Sequence, residues 1–248
     1  MPSGYSNFYM LDWHIPSARI RVIAQAKAFI ESGIFDGIML DEWNDNEPDL
    51  IKLLKDVRSA IWNDKLIIVN PNAKKTPNSA PYINGLMMEA GFSSGQYNAF
   101  LPPLTPDDWQ TISDTLLWAE KNLREPRLNA LWTWSVKTPV ELNRLRATTT
   151  LALAHSNGYV DFGNSGDQPI WDPFWEHKEL GKPIDKMTTR PDGAIQREYE
   201  GGTVIYNPMG NTAVTITFAG PHLSAASGQT ALKFMLEAMD GDLYLKTA

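Results

Sequence analysis

The sequence predicts an α/β chain: a (β/α)8 TIM-like barrel of which about six βα units are visible, followed by a small all-β domain. Three observations carry this. Short apolar runs alternate with longer segments of helical period as far as about residue 162. Polar and acidic residues stand just after those runs, where a barrel collects its site. Beyond residue 195 only strand-like runs remain.

Phe8–Leu11 reads as the first strand. A helix over 17–31 follows, with Ser17 as candidate N-cap and Gly33 as its stop. Residues 36–40 are the next strand, and 48–62 a helix opened by Pro48, with Leu50, Leu53, Leu54, Val57 and Ile61 on one side. Leu66–Val69 is a third strand ending at Asn70-Pro71-Asn72, and residues 73–82 show no helix. Strands at 83–88, 129–134 and 158–162 alternate with helices at 106–124 and 139–155. The stretch 164–195 is irregular and holds Trp171 and Trp175. Strands then run over 202–206 and 213–218, with a terminal hairpin turning at Asp240-Gly241-Asp242. The expected domains are 1–195, an N-terminally incomplete barrel, and 196–248, a small β-sandwich-like unit.

A doubly wound sheet is the competing architecture. It usually carries a Gly-rich phosphate loop after its first strand, whereas this chain has Asp12-Trp13-His14 there. The barrel fits the placement of polar residues, but it needs eight strands. Either two N-terminal units lie outside this chain, or a partner segment or second copy completes the ring, because an open barrel exposes an apolar face and unpaired edges.

Composition excludes several functions. The formal charge is −7, with no Lys/Arg stripe, which argues against nucleic acid as partner. The longest apolar runs fall far short of the ~20 residues of a membrane span, so no membrane role is expected. There is no cysteine, hence no disulfide, thiol nucleophile or Cys-based metal site. The four histidines lack metal-ligand spacing, and Asp12, Asp41, Asp45 and Asp49 do not match a calcium loop. No metal or cofactor is expected. The N-terminus shows no secretory leader; localisation stays open, with secretion expected if a leader lies upstream.

Two strands share a pattern, Gly37-Ile38-Met39-Leu40-Asp41 and Gly85-Leu86-Met87-Met88-Glu89. Side chains alternate along a strand, so each Gly, Met and carboxylate share one face. With bulkier residues turned toward the helices, Asp41 and Glu89 converge on the barrel mouth. Two converging carboxylates, one protonated and one ionised, are what glycosidic bond cleavage requires. The competing reading makes them helix caps or ion-pair partners of Lys137 or Arg144. Around them, Asn70 and Asn72 can bond sugar hydroxyls or simply build a Pro-centred turn. Trp43, Trp132 and Trp134 stand at strand ends where an indole can stack on a pyranose, or serve as core. Asp12, Glu42 (at the rim) and Asp161 complete the candidate substrate-binding set.

The run Phe35–Glu42 resembles the fourth-strand motif of glycoside hydrolases with a (β/α)8 barrel and a C-terminal β-sandwich. Asn84–Glu89 is similar to their sixth-strand acid, and His155–Gly163 to their eighth strand. Trp171–Pro183 resembles the Trp-rich stretch that follows it, and Arg197–Pro208 the sandwich entry. The resemblance implies Asp41 as nucleophile, Glu89 as acid/base and a carbohydrate substrate such as a glucan or xylan. A non-catalytic carbohydrate-binding or assembly protein is the alternative, and a metal-free lyase or isomerase a more distant one.

Overall fold

The computed structural model describes residues 11–90, 104–135, 139–164 and 171–247. Helix α1 (Pro16–Glu31) leads to strand β1 (Gly37–Leu40), α2 (Pro48–Ala60), β2 (Leu66–Val69) and β3 (Gly85–Glu89). Then come α3 (Pro106–Asn122), β4 (Ala130–Ser135), α4 (Pro139–His155) and β5 (Tyr159–Asn164). The expected first strand falls largely on residues outside the described ones. The five strands form one parallel sheet in sequential order, and within the described residues it does not close. Two 3₁₀ turns, Pro173–Trp175 and Lys178–Leu180, follow. The chain ends in an antiparallel sheet of β6 (Thr188–Thr189), β7 (Ile195–Tyr199), β8 (Gly202–Asn207), β9 (Val214–Ser224), β10 (Thr230–Leu236) and β11 (Asp240–Lys246). Its spatial order is β10-β9-β11-β8-β7-β6. No described helix is long and apolar enough to cross a membrane.

Helices α2 and α3 start where a side chain, Glu47 or Thr105, accepts from a free N–H group of the first turn. At α3, the Thr105 hydroxyl accepts from Asp108 N (3.3 Å) and the Asp108 carboxylate from Thr105 N (2.7 Å), a reciprocal capping box. At α1 the expected cap fails. Ser17 lies inside the helix, Pro16 occupies its first turn, and Ile15 stands at the N-cap without a side-chain bond. The connection from β2 to β3 contains no helix, as the sequence led one to expect.

Alternation along the parallel strands sorts their side chains. Ile67, Val69, Leu86, Met88 and Leu131 are buried in one cluster with Leu53, Leu54 and Val57 of α2 and Ile112 and Leu116 of α3. The opposite face carries Met39 (48% exposed), Tyr159 (45% exposed) and the candidate acids. One buried cation stitches the far end of this layer. The Arg58 guanidinium donates to Tyr82 O (2.9 Å), Lys65 O (2.6 Å) and Asn84 Oδ1 (2.8 Å), and burial lowers its pKa to about 10.

Helix α4 packs on both sheets, touching β4 and β5 on one side and β8 and β11 on the other. It therefore lacks a polar stripe, and Leu145, Ala147, Thr148, Thr149, Thr150 and Leu151 are all buried. Arg146 grips Asp240 through Nε (2.8 Å) and Nη2 (2.7 Å). Arg197 and Tyr199 donate to Leu153 O, each at 2.8 Å, and so cap the helix C-terminus.

The expected terminal hairpin is corrected here. Asp240, Gly241 and Asp242 lie inside β11, paired with Asn207, Tyr206 and Ile205 of β8, and β11 also pairs with β9 rather than β10. The turn comes before them, with Met239 in the left-handed region (φ 55°). Gly241 is needed for a close approach: a Cβ there would run into the Thr150 side chain of α4.

Candidate active site

The ends of β1, β2 and β3 bring three polar side chains together. Asn70, 3% exposed, donates from one nitrogen, Nδ2, to Asp41 Oδ1 (2.9 Å) and to Glu89 Oε1 (3.0 Å). Both acceptors lie within hydrogen-bond reach of one nitrogen, so the two bonded oxygens are no more than about 6 Å apart, a span that includes the ~5–5.5 Å of retaining carboxylate pairs. The amide orientation follows from its other end, where Asn70 Oδ1 accepts from Asn72 N (3.1 Å). A second donor, Glu42 N, also reaches Asp41 Oδ1 (2.8 Å). Among the described residues nothing bonds Asp41 Oδ2 or Glu89 Oε2, and neither acid takes part in an ion pair.

The two acids differ in environment. Asp41 is exposed, whereas Glu89 is half-buried. Burial pushes the Glu89 carboxyl above the ordinary range, the Asn70 bond opposes this, and the charges of Asp41 and Glu42 add to it. Such a group holds its proton longer than a free glutamate and can donate it.

Beside Glu89 the register continues the row: Glu89 pairs with Trp132, and Trp132 with Asp161. Trp132 is half-buried and Asp161 exposed, two strands or about 10 Å from Glu89. A cavity of about 580 Å³ runs along β5, lined by Tyr159, Asp161, Trp171 and Trp175 among others. The indoles of Trp171 and Trp175 meet edge-on at 5.7 Å.

Other candidates sit elsewhere or act differently. Trp43 cannot serve as a stacking platform: it is 6% exposed, within the core, and its Nε1 donates to Ser79 Oγ (2.8 Å). Asn70 is not a rim residue free for hydroxyls but the bridge between the acids. Asn72 is exposed, in the left-handed region (φ 51°), and serves the turn through its main-chain N–H. Glu42, exposed and also left-handed (φ 47°), stands at the rim as its parity implies. Asp12 accepts from His14 N (3.0 Å) in the turn before α1 and makes no described contact with the acid pair. Trp134 lies in β4, but its side chain falls outside the described residues. His14 bonds Asp49 Oδ2 (2.5 Å), while Arg19 takes Asp49 Oδ1 (2.6 Å). With Glu47 they form a carboxylate–imidazole group whose ligand atoms lie within 4.8 Å of one another, but Arg19 already supplies its countercharge.

No protein-family model matches the chain, and no curated protein is significantly similar to it. Solved structures are. The α-amylase of Anoxybacillus matches with a TM-score of 0.51 and 13% identity, over 96% of this chain and 65% of that one. The pullulanase of Anoxybacillus sp. LM18-11, complexed with maltotriose, matches at 0.53 and 14%, over 96% of this chain and 46% of that one. The chain thus spans at most about two thirds of the length of these structures. At such identities the likeness is one of fold alone: a parallel α/β sheet that does not close among the described residues, followed by an all-β part.

Proposed function

We propose that this chain carries the active site of a glycoside hydrolase that cleaves an oligosaccharide or polysaccharide with retention of configuration. The observation that supports it is the single Asn70 nitrogen shared by Asp41 and Glu89, which brings the two acids together at the strand ends. Glu89, whose burial makes it hold its proton more tightly than a free glutamate, gives that proton to the glycosidic oxygen as Asp41 attacks the anomeric carbon. The C–O bond to the leaving sugar breaks and a glycosyl ester forms on Asp41. Glu89, now ionised, takes a proton from water, and the hydroxide so formed releases the sugar and restores the Asp41 carboxylate. Trp132 offers a ring beside Glu89, and Asp161 an acceptor further along the same row. The name of one structural relative, a pullulanase with maltotriose, makes malto-oligosaccharides the first substrate to try, ahead of xylo-oligosaccharides.

The test is hydrolysis of reducing-end-labelled oligosaccharides, with the anomer of the first product read by proton NMR. Retention in wild type, and loss of hydrolysis in Glu89→Gln, are expected. Inversion, or an unchanged Glu89→Gln enzyme, overturns the assignment.

A second reading has its own observation. Among the described residues the parallel sheet has five strands, with β1 and β5 at its edges and no further strand paired to either. This favours either completion of the ring by a further segment or a second copy, or a carbohydrate-binding protein without turnover. Saturable binding by calorimetry with no cleavage would select the binding reading.

A further inference from the structure

We propose that Asp45 and Ser79 are positioning residues for the Asp41–Glu89 pair, acting through Trp43. This rests on the reading of that pair as the reacting groups. Asp45 is a buried carboxylate, 8% exposed, with no cationic partner among the described residues. An unpaired buried charge is costly unless its hydrogen bonds are fully met. Here Oδ1 accepts from Ser79 N (2.9 Å) and from the Ser79 hydroxyl, and Oδ2 from Asn78 N (2.9 Å).

A carboxylate only accepts, so it dictates the direction of the next bond. The Ser79 O–H must point at Asp45, which leaves the Ser79 oxygen to accept from Trp43 Nε1 at 2.8 Å. Trp43, thus held, donates its main-chain N–H to Asn70 O (2.8 Å), while Asn70 N donates to Leu40 O (3.0 Å). These two bonds bracket Asp41 and fasten the end of β1 to the residue that bridges the acids. Between them Glu42 sits at φ 47°, a conformation a side-chain-bearing residue rarely adopts unless its neighbours hold it. The clamp therefore holds the turn that aims Asp41, and a site that loses such support drifts out of reacting geometry.

The experiment uses the whole chain and compares Ser79→Ala, Asp45→Asn and Trp43→Phe with wild type. Trp43→Phe keeps an aromatic ring but loses the Nε1–H donor and part of the indole's volume, so it is read beside Ser79→Ala, which removes only the bonding hydroxyl. Ser79→Thr keeps the hydroxyl and serves as rescue. Three quantities are read: circular dichroism for folding, kcat and KM on the oligosaccharide, and the Glu89 titration by carboxyl NMR. In folded variants kcat is expected to fall about 10- to 100-fold with KM little changed. The Glu89 midpoint should move from its wild-type value as the Asn70 bond and the charges of Asp41 and Glu42 shift, and Ser79→Thr should restore both. Folded variants with wild-type kcat and wild-type Glu89 titration overturn the proposal. If wild type cleaves nothing yet the Glu89 midpoint still moves, the positioning link stands and the hydrolase reading falls.

Discussion

The two sheets of this protein are built on opposite terms. The parallel sheet buries one face against its helices, and its other face carries exposed Met39 and Tyr159 and a pair of acids that makes no ion pair among the described residues. In the antiparallel sheet, all six residues of β8 and the first six of β11 are buried. Successive residues of β8 enter different cores: Val204 the one under α4, Ile205 the one shared with Val214, Ile216 and Tyr244. Its acids are spent on structure. Asp240 is held by Arg146, and Asp242 by the Ser224 hydroxyl and the N–H groups of Ala226 and Leu243. Among the described residues the parallel sheet leaves one oxygen of each acid unbonded, while the antiparallel sheet bonds its carboxylates for stability.

This contrast breaks if substitutions in the parallel sheet cost stability or those in the antiparallel sheet cost chemistry. The largest expected effect is on turnover. Glu89→Gln should lower kcat by about 10²–10⁴-fold. Its melting temperature should hold or rise, because the change removes a half-buried charge facing Asp41 and Glu42. In wild type the activity should vanish as pH rises through the raised Glu89 pKa, since the donor is then ionised; a kcat/KM profile checks this.

The opposite expectation holds for Gly241→Val, which drives a side chain into Thr150 of α4. A loss of about 1–3 kcal/mol is expected, or roughly 2–4 °C of melting temperature per kcal/mol for a chain this long. Activity per folded molecule should stay at the wild-type level. A stable but inactive variant would mean that the antiparallel sheet reaches into the chemistry.

Asp242 sharpens the comparison through pH. Burial raises its pKa from 3.8 to about 6, so the folded state binds that proton more tightly than the unfolded chain. Its contribution is full below pH 3.8 and is lost as pH rises through about 6. The loss amounts to at most about 3 kcal/mol. Urea melts at pH 4 and pH 7 should show this fall in wild type and a flatter response in Asp242→Asn. The smallest effect belongs to His14→Ala. That imidazole is exposed, and its bond to Asp49 raises its pKa, so any stabilisation is present below pH 6.5 and lost above the raised value. Thermal melts at pH 8 should not distinguish this variant from wild type.

Much of this was legible before any coordinates. Two-residue alternation in 37–41 and 85–89 is enough to put Asp41 and Glu89 on one face, because backbone geometry imposes it. The role of Asn70 was not legible: it depends on β2 lying between β1 and β3, so that one nitrogen meets both acids. For Trp43 the sequence leaves platform and core open, because a strand-end indole looks alike whether it faces a cleft or a core; only the Ser79 bond and its burial separate the two. Asp240-Gly241-Asp242 carries the letters of a turn, yet the glycine answers to a helix some 90 positions earlier in the chain, at Thr150.

By itself, then, the sequence determined the elements and the faces their side chains take, since period and punctuation act over a few neighbouring residues. The tertiary structure alone decided which residues meet: Asn70 between the acids, Asp45 behind Ser79 and Trp43, and α4 between two sheets. Those contacts join segments far apart in the chain, and strand order and packing, which no local pattern encodes, bring them together.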